Sequence, residues 1–318
     1  MEILFQVFLL VLGFVLLIKG ADFFVDGASS TAQNFKVPKL LIGLTIVAFG
    51  TSAPELAVSI KSLASGNSDI VFGNVIGSNV FNILLILGIA AIIYPVRVRR
   101  RTVRKELPYC LLISVLLAIL LLDTTLAGAA ENQFTRADGI VILLFFSVFI
   151  YYLVRSALRH RTKDDESPDR GLLLSLVMVG AGLIGVIVGS NFVVDSATTI
   201  AQSLGVSERV ISLTIIAFGT SLPELVTTIV AARKNEQDLL VGNIVGSNIF
   251  NIAVVLGVPV VMFGSTSSAN FSILDLGACI GAAALLFVLA LKGREIGRRS
   301  GIIMLACFAI YYSLVIFS

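Results

Sequence analysis

The chain has 318 residues, of which 57% are apolar and 14% charged; its mean hydropathy is +1.00 and it contains no tryptophan. A soluble domain carries about 25% charged residues, so this composition excludes a water-soluble globule and fits a bundle embedded in a bilayer. The formal net charge of +3 excludes little by itself. The placement of the charges is more informative.

Ten apolar runs follow one another at 3–20, 38–63, 70–95, 107–122, 138–158, 171–190, 208–232, 239–263, 273–291 and 301–317. Gly, Pro, Ser, Asn or charge clusters separate them, and the length suits helices of ~20 residues with short loops. The first run, Ile3 to Ile18, lacks a basic segment before it, since Lys19 follows it. It is therefore read as a membrane helix, not a signal peptide. Cys110, Cys279 and Cys307 lie in apolar runs without metal-binding spacing and read as packing residues. His160, the single histidine, sits in a polar loop and reads as solvated.

Basic residues predict the orientation. Alternate connections hold Lys19, Lys36 and Lys39; Arg97, Arg99, Arg100, Arg101, Arg104 and Lys105; Arg155, Arg159, Arg161, Lys163 and Arg170; Arg233 and Lys234; and Lys292, Arg294, Arg298 and Arg299. That is 20 of the 23 basic residues, with only Lys61, Arg136 and Arg209 in the other set. The even span count then puts both termini outside the cell, with the basic loops in the cytoplasm.

The chain repeats itself. Residues 45–56 read TIVAFGTSAPEL and residues 214–225 read TIIAFGTSLPEL, identical at ten of twelve positions. Residues 73–83 read GNVIGSNVFNI and 242–252 read GNIVGSNIFNI, identical at eight of eleven. Both pairs are offset by 169 residues, as are Asp26 and Asp195 in FFVDGA and FVVDSA. The expected fold is an all-α membrane protein of ten transmembrane helices in two five-helix repeats, residues 1–158 and 171–318, joined by a cytoplasmic linker at 159–170. Five is odd, so the second copy enters the bilayer inverted, a pattern of secondary transporters with a midplane site.

The repeat carries its chemistry at Glu55 and Glu224, each inside an otherwise apolar run. A lone charge at the bilayer centre costs at least ~2.5 kcal/mol and usually marks function. On a helix, Ala48, Thr51, Ser52 and Glu55 share one face, and Ala217, Thr220, Ser221 and Glu224 repeat the pattern. Asn74, Ser78 and Asn82 form a second stripe, matched by Asn243, Ser247 and Asn251. An oxygen-rich set without Cys or His suits hard cations such as Na⁺ and Ca²⁺. Pro54 and Pro223 lack an N–H, so the carbonyls of Gly50 and Gly219 are expected to be freed at helix kinks. Gly77 and Gly246 are expected to allow close helix packing. Asp26 and Asp195 read either as helix caps or as gating residues.

At GTSAPE with GSNVFN, and GTSLPE with GSNIFN, the chain resembles the sodium/calcium exchanger family of the calcium/cation antiporter superfamily, in a compact prokaryotic form without the large cytoplasmic regulatory domain of animal members. The resemblance covers essentially the whole chain. It implies electrogenic exchange of Na⁺ for Ca²⁺ in the cell membrane by a single-chain transport unit, with the ions as substrates and no cofactor. It further implies a ligand set of Glu55 and Glu224, the side chains of Ser52, Ser221, Ser78 and Ser247, and the carbonyls of Ala48, Thr51, Ala217 and Thr220, with Asn82 and Asn251 level with the glutamates. Family members that co-transport K⁺ have Asp where this chain has Asn251, which leans against K⁺ dependence. The first and sixth helices are the family's sliding pair.

Three other readings compete. Glutamates titrate when desolvated, so H⁺/Ca²⁺ exchange through the same site is the nearest. A cation channel lined by glutamates is another. A serine hydrolase is a third, but no histidine lies within any run to act as base.

Overall fold

A computed structural model describes residues 2–126, 128, 132–159, 170–205, 217–264, 266–267 and 273–317. His160, most of the expected linker, Arg209 and the start of the seventh apolar run lie outside the described residues.

Helices dominate because long apolar stretches in a bilayer satisfy their backbone only within themselves. In chain order the described helices are α1 (Glu2–Phe35), α2 (Lys39–Ile42), α3 (Ala48–Thr51), α4 (Ala53–Ala64), α5 (Ser68–Val80), α6 (Leu87–Ile93), α7 (Arg100–Arg104), α8 (Glu106–Leu121), α9 (Asp123–Leu126), α10 (Arg136–Arg159), α11 (Leu172–Ser203), α12 (Ala217–Gly219), α13 (Leu222–Arg233), α14 (Gln237–Phe250), α15 (Gly257–Phe263), α16 (Ile273–Gly293) and α17 (Arg298–Phe317). Wider π-helical turns join α2 to α3 over Gly43–Val47, α5 to α6 over Phe81–Ile86, and α14 to α15 over Asn251–Leu256. Among the described residues seven helices are long and apolar enough to cross a membrane, or eight if the bent pair Lys39–Thr51 and Ala53–Ala64 counts as one span.

Two expected boundaries move. The apolar run at 3–20 is only the first part of α1, and the run at 171–190 only the first part of α11; these helices have 34 and 32 residues. At 1.5 Å per residue each reaches about 50 Å, well beyond a ~30 Å hydrocarbon core. No proline interrupts either segment, and Lys19, expected in a connection, lies inside α1 with its side chain exposed; a long flexible stem lets such a residue stay helical and reach polar surroundings. Asp26 and Asp195 are therefore interior to these helices and do not cap them.

α1 and α11 pack along matched glycines. A Cβ on Gly182 would lie 2.4 Å from the Phe24 nitrogen and 2.7 Å from the Gly20 carbonyl oxygen. A Cβ on Gly189 would lie 2.5 Å from the Leu17 nitrogen and 2.7 Å from the Gly13 carbonyl oxygen. Contacts this close need residues without side chains, the usual device for helix association in lipid. The outer face of the same pair exposes Phe5, Phe8, Phe14, Leu173 and Val177, as expected of a surface turned to lipid.

The inner layer is the opposite. α14 is buried from its third residue, Leu239, to its end, packed against the Gly43–Val47 turn and α3 of the first half. Gly246 permits this, since its Cβ would lie 2.7 Å from that of Ala48. Gly77 has no described atom within 4 Å, so close packing there is not seen among the described residues. Two short antiparallel ladders also cross between the halves. β1 (Val96–Arg97) pairs with β4 (Glu295–Ile296), and β2 (Gln133–Phe134) pairs with β3 (Thr266–Ser267).

Gly182→Ala is expected to lower stability by about 1–3 kcal/mol, the usual cost of overpacking, read as a lower melting temperature in detergent. Gly180→Ala on the same helix, where an added Cβ meets nothing within 4 Å, is expected to leave melting unchanged or slightly higher. Equal melting of the two variants would contradict the packing described.

Candidate cation-binding site

Proline sets up the site. Pro54 and Pro223 each fall in the first turn of a helix, where the missing N–H costs nothing. The chain consequently breaks at Ser52 (φ −85°, ψ 6°) and Ser221 (φ −92°, ψ 5°). The first break bends the segment by 45°. The single face expected for Ala48, Thr51, Ser52 and Glu55 is thus split between two short helices, and the bend still brings the polar side chains inward. Glu55 and Glu224 sit in the first turns of α4 and α13, where the positive helix ends favour negative charge.

The carbonyls of Gly50 and Gly219 are not left free. N–H groups following Thr51 return to the carbonyls of Ala48 and Gly50. The carbonyl of Gly219 accepts the Ser190 hydroxyl of α11 at 3.1 Å. The broken turn and a neighbouring hydroxyl supply the partners that the prolines cannot.

The two breaks face each other and exchange contacts. Ser52 Oγ donates to Glu224 Oε1 at 3.0 Å, and Ser221 Oγ donates to Glu55 Oε1 at 3.4 Å. Ser78 Oγ also lies 3.4 Å from Ser221 Oγ, and the Thr51 and Ser247 hydroxyls lie 3.4 Å apart. Thr51 Oγ1 donates to Asn243 Oδ1 at 3.0 Å. Aromatic rings brace the arrangement: Phe49 meets Phe250 and Phe81 meets Phe218 edge-on, with centroids 5.2 and 4.6 Å apart. Each contact joins one half to the other.

The asparagines hold the backbone and leave oxygens open. Asn74 Nδ2 donates to the Glu55 carbonyl at 2.9 Å and to Ser59 Oγ at 3.0 Å, and Asn243 Nδ2 donates to Thr228 Oγ1 at 3.2 Å. Asn79 and Asn248, unassigned in the sequence reading, form a bridge. Asn79 Nδ2 donates to the Asn248 carbonyl at 3.2 Å and Asn82 Nδ2 donates to Asn248 Oδ1 at 3.3 Å. Their position within both GSN motifs was the available signal. Asn82 and Asn251 each occupy a π-helical turn, a feature frequent at functional sites.

Glu55, Glu224, Asn82, Asn251, Thr51, Ser52 and Ser247 are fully buried, Ser221 and Ser78 nearly so. Thr220 is half-buried. Ala48 begins α3 and is buried, and Ala217 begins α12. Glu55 Oε2, Glu224 Oε2, Asn82 Oδ1 and both amide atoms of Asn251 have no hydrogen-bond partner among the described residues. Buried polar atoms are almost always paired, so this set of unpaired buried oxygens fits a hard cation. Among the described residues no three His, Cys, Asp or Glu side chains gather at one place; the donors here are two carboxylates with neutral oxygens around them.

The family model described as sodium/calcium exchanger protein matches residues 5–155 and again 174–317. This chain belongs to the sodium/calcium exchanger family. The inner membrane protein YrbG of Escherichia coli is 43% identical over 79% of this chain and 78% of its own length. The sodium/calcium exchanger MaX1 of Methanosarcina acetivorans is 30% identical over 97% of each chain. The solved structure of the sodium-calcium exchanger NCX_Mj soaked with 10 mM Na⁺ and zero Ca²⁺ superposes with a TM-score of 0.83 at 35% identity, covering 99% of both chains. As an exchanger-family member the chain is a multi-pass membrane protein of the transporter class, with the membrane fold of NCX_Mj.

Asn243→Ala is expected to lower stability by about 2 kcal/mol, because it removes partners of Thr51 and Thr228 in a buried site. Melting of the purified protein in detergent measures this. An unchanged melting temperature would show that these two bonds carry no weight.

Proposed function

We propose that the chain is an antiporter that exchanges Na⁺ for Ca²⁺ across the cell membrane by alternating access. One observation carries the reading: two buried carboxylates, one from each half and each bonded to a serine of the other half's break, both leave one oxygen without a partner among the described residues. The ligands are Glu55, Glu224, the side chains of Ser52, Ser221, Ser78, Ser247, Asn82 and Asn251, and the carbonyls of Ala48, Thr51, Ala217 and Thr220. The ions are the cargo, and no resident cofactor takes part.

Charge explains why such a site exchanges. Two carboxylates are neutralised by one Ca²⁺, or by Na⁺ ions sharing the same oxygens. An empty doubly negative cavity at mid-bilayer would be costly to move, so the protein reorients with one cargo or the other.

The architecture we infer has ten spans in two inverted five-helix repeats, residues 1–158 and 171–318, with a cytoplasmic linker and both termini outside. The separate family match to each half supports the duplication. The described helices support the count. To the eight spans that include the bent pair, α8 with 16 residues and the second broken segment, α12 with α13, add two. The charge asymmetry of the loops supports the orientation. α1 and α11 move as a unit, since their glycine faces lock against each other's backbone. Lys234, which donates to Asp26 at 2.6 Å and to the Asp22 carbonyl at 3.0 Å, ties α1 to the turn before α14.

In proteoliposomes with pH clamped, an outward sodium gradient is expected to drive Ca²⁺ uptake. Glu55→Gln or Glu224→Gln is expected to abolish it while the protein still inserts. Uptake that follows only a pH gradient would transfer the reading to H⁺/Ca²⁺ exchange. A steady Ca²⁺ current without counter-ion would indicate a channel, and near-normal flux in either variant would remove the site.

A further inference from the structure

The β1–β4 ladder draws two basic loops together at one end of the bundle. It aligns Val96 with Ile296 and Arg97 with Glu295, and the Val98 N–H donates to the Arg294 carbonyl at 2.7 Å. Between these loops and the first turn of α14 lies an open cavity of about 560 Å³, lined by Arg97, Arg99, Arg100 and Arg294 with Gln237, Asp238 and Glu295. Arg99 pairs with Asp238, and Arg97 lies 3.7 Å from Glu295. Arg100 and Arg294 have no carboxylate within ion-pair distance among the described residues. The lining is thus positive, with two guanidinium groups uncommitted.

We propose that this cavity binds the phosphate of an anionic phospholipid headgroup. Guanidinium groups offer paired N–H donors matched to phosphate oxygens. The cavity sits where spanning helices end, at Ile93 of α6 and Gly293 of α16, the depth at which headgroups lie. The helix ends that lead to it carry exposed apolar side chains: Ile93 and Tyr94 at the end of α6, Leu291 near the end of α16 and Ile302 near the start of α17. These suit acyl chains and would be wasted on a small soluble anion. The choline of a zwitterionic lipid would bring a positive charge towards the arginines, so the site selects net negative headgroups. The site is also tied to the transport core. Arg99 bonds Asp238 and the Arg97 N–H donates to Gln237 Oε1 at 2.9 Å, and α14 carries Asn243 and Ser247 about one and a half and two and a half turns further on. A bound lipid would clamp a loop of each half against that helix.

Native mass spectrometry of the full-length protein, titrated separately with phosphatidylglycerol, phosphatidylcholine and inorganic phosphate, tests this. The expected result is a phosphatidylglycerol site that phosphatidylcholine and phosphate fill poorly. Arg100→Gln with Arg294→Gln is expected to weaken phosphatidylglycerol about thirtyfold, and the corresponding pair of Lys substitutions, which keep the charge but lose the paired donors, to weaken it less. Should the Gln variant fail to fold, the wild type decides: its preference for phosphatidylglycerol is expected to fall as salt is raised. Equal binding of the two lipids, unchanged affinity in the Gln variant, or a salt-independent preference would overturn the proposal. Phosphate binding as tight as phosphatidylglycerol would overturn the lipid as occupant.

Discussion

Two carboxyl groups held away from water impose the main constraint on this molecule. Glu55 and Glu224 have no exposed surface, and each keeps only one oxygen hydrogen-bonded to the protein. One charge at mid-bilayer costs at least ~2.5 kcal/mol, and two facing charges repel as well. The serine hydroxyls and helix N-termini soften that cost without cancelling a net charge of two. In the proposed antiporter a cation from outside the chain would complete the arrangement, with the bent helices, π-helical turns and asparagine bridges holding the oxygens in place for it.

The contacts that build the site obey one rule. Shifting each residue by 169 turns Ser52–Glu224 into Ser221–Glu55, Phe49–Phe250 into Phe218–Phe81, and Gly20–Gly182 into Gly189–Gly13. Each half therefore completes the other, and neither holds a site alone. The symmetry is approximate: Thr51 is sealed in while its counterpart Thr220 is half-buried. Unequal exposure of equivalent residues is what alternating access between two faces would produce at any one moment.

Much of this was legible in the sequence. The 169-residue offset, the intramembrane glutamates and the prolines beside them mark where the chain breaks and what it presents there, because charge and a missing N–H have few explanations in lipid. The resemblance to the exchanger family rested on those same residues. The length of α1 was not legible, since Lys19 and the polar stretch after it look like a loop until the helix is seen to run through them. The fate of the Gly50 and Gly219 carbonyls also escaped, because their partners come from the broken turn and from Ser190 on a distant helix. The Asn79–Asn248 bridge depends on which helices cross, and the two-residue ladders are too short to leave a periodic trace.

Crystals soaked with Ca²⁺ or Sr²⁺ and measured for anomalous scattering test the central claim most directly. The account predicts one divalent ion between α4 and α13, with a carboxylate oxygen of Glu55 and one of Glu224 both about 2.3–2.6 Å from Ca²⁺. An ion bound by only one of the two glutamates, or ions bound only elsewhere, would contradict it.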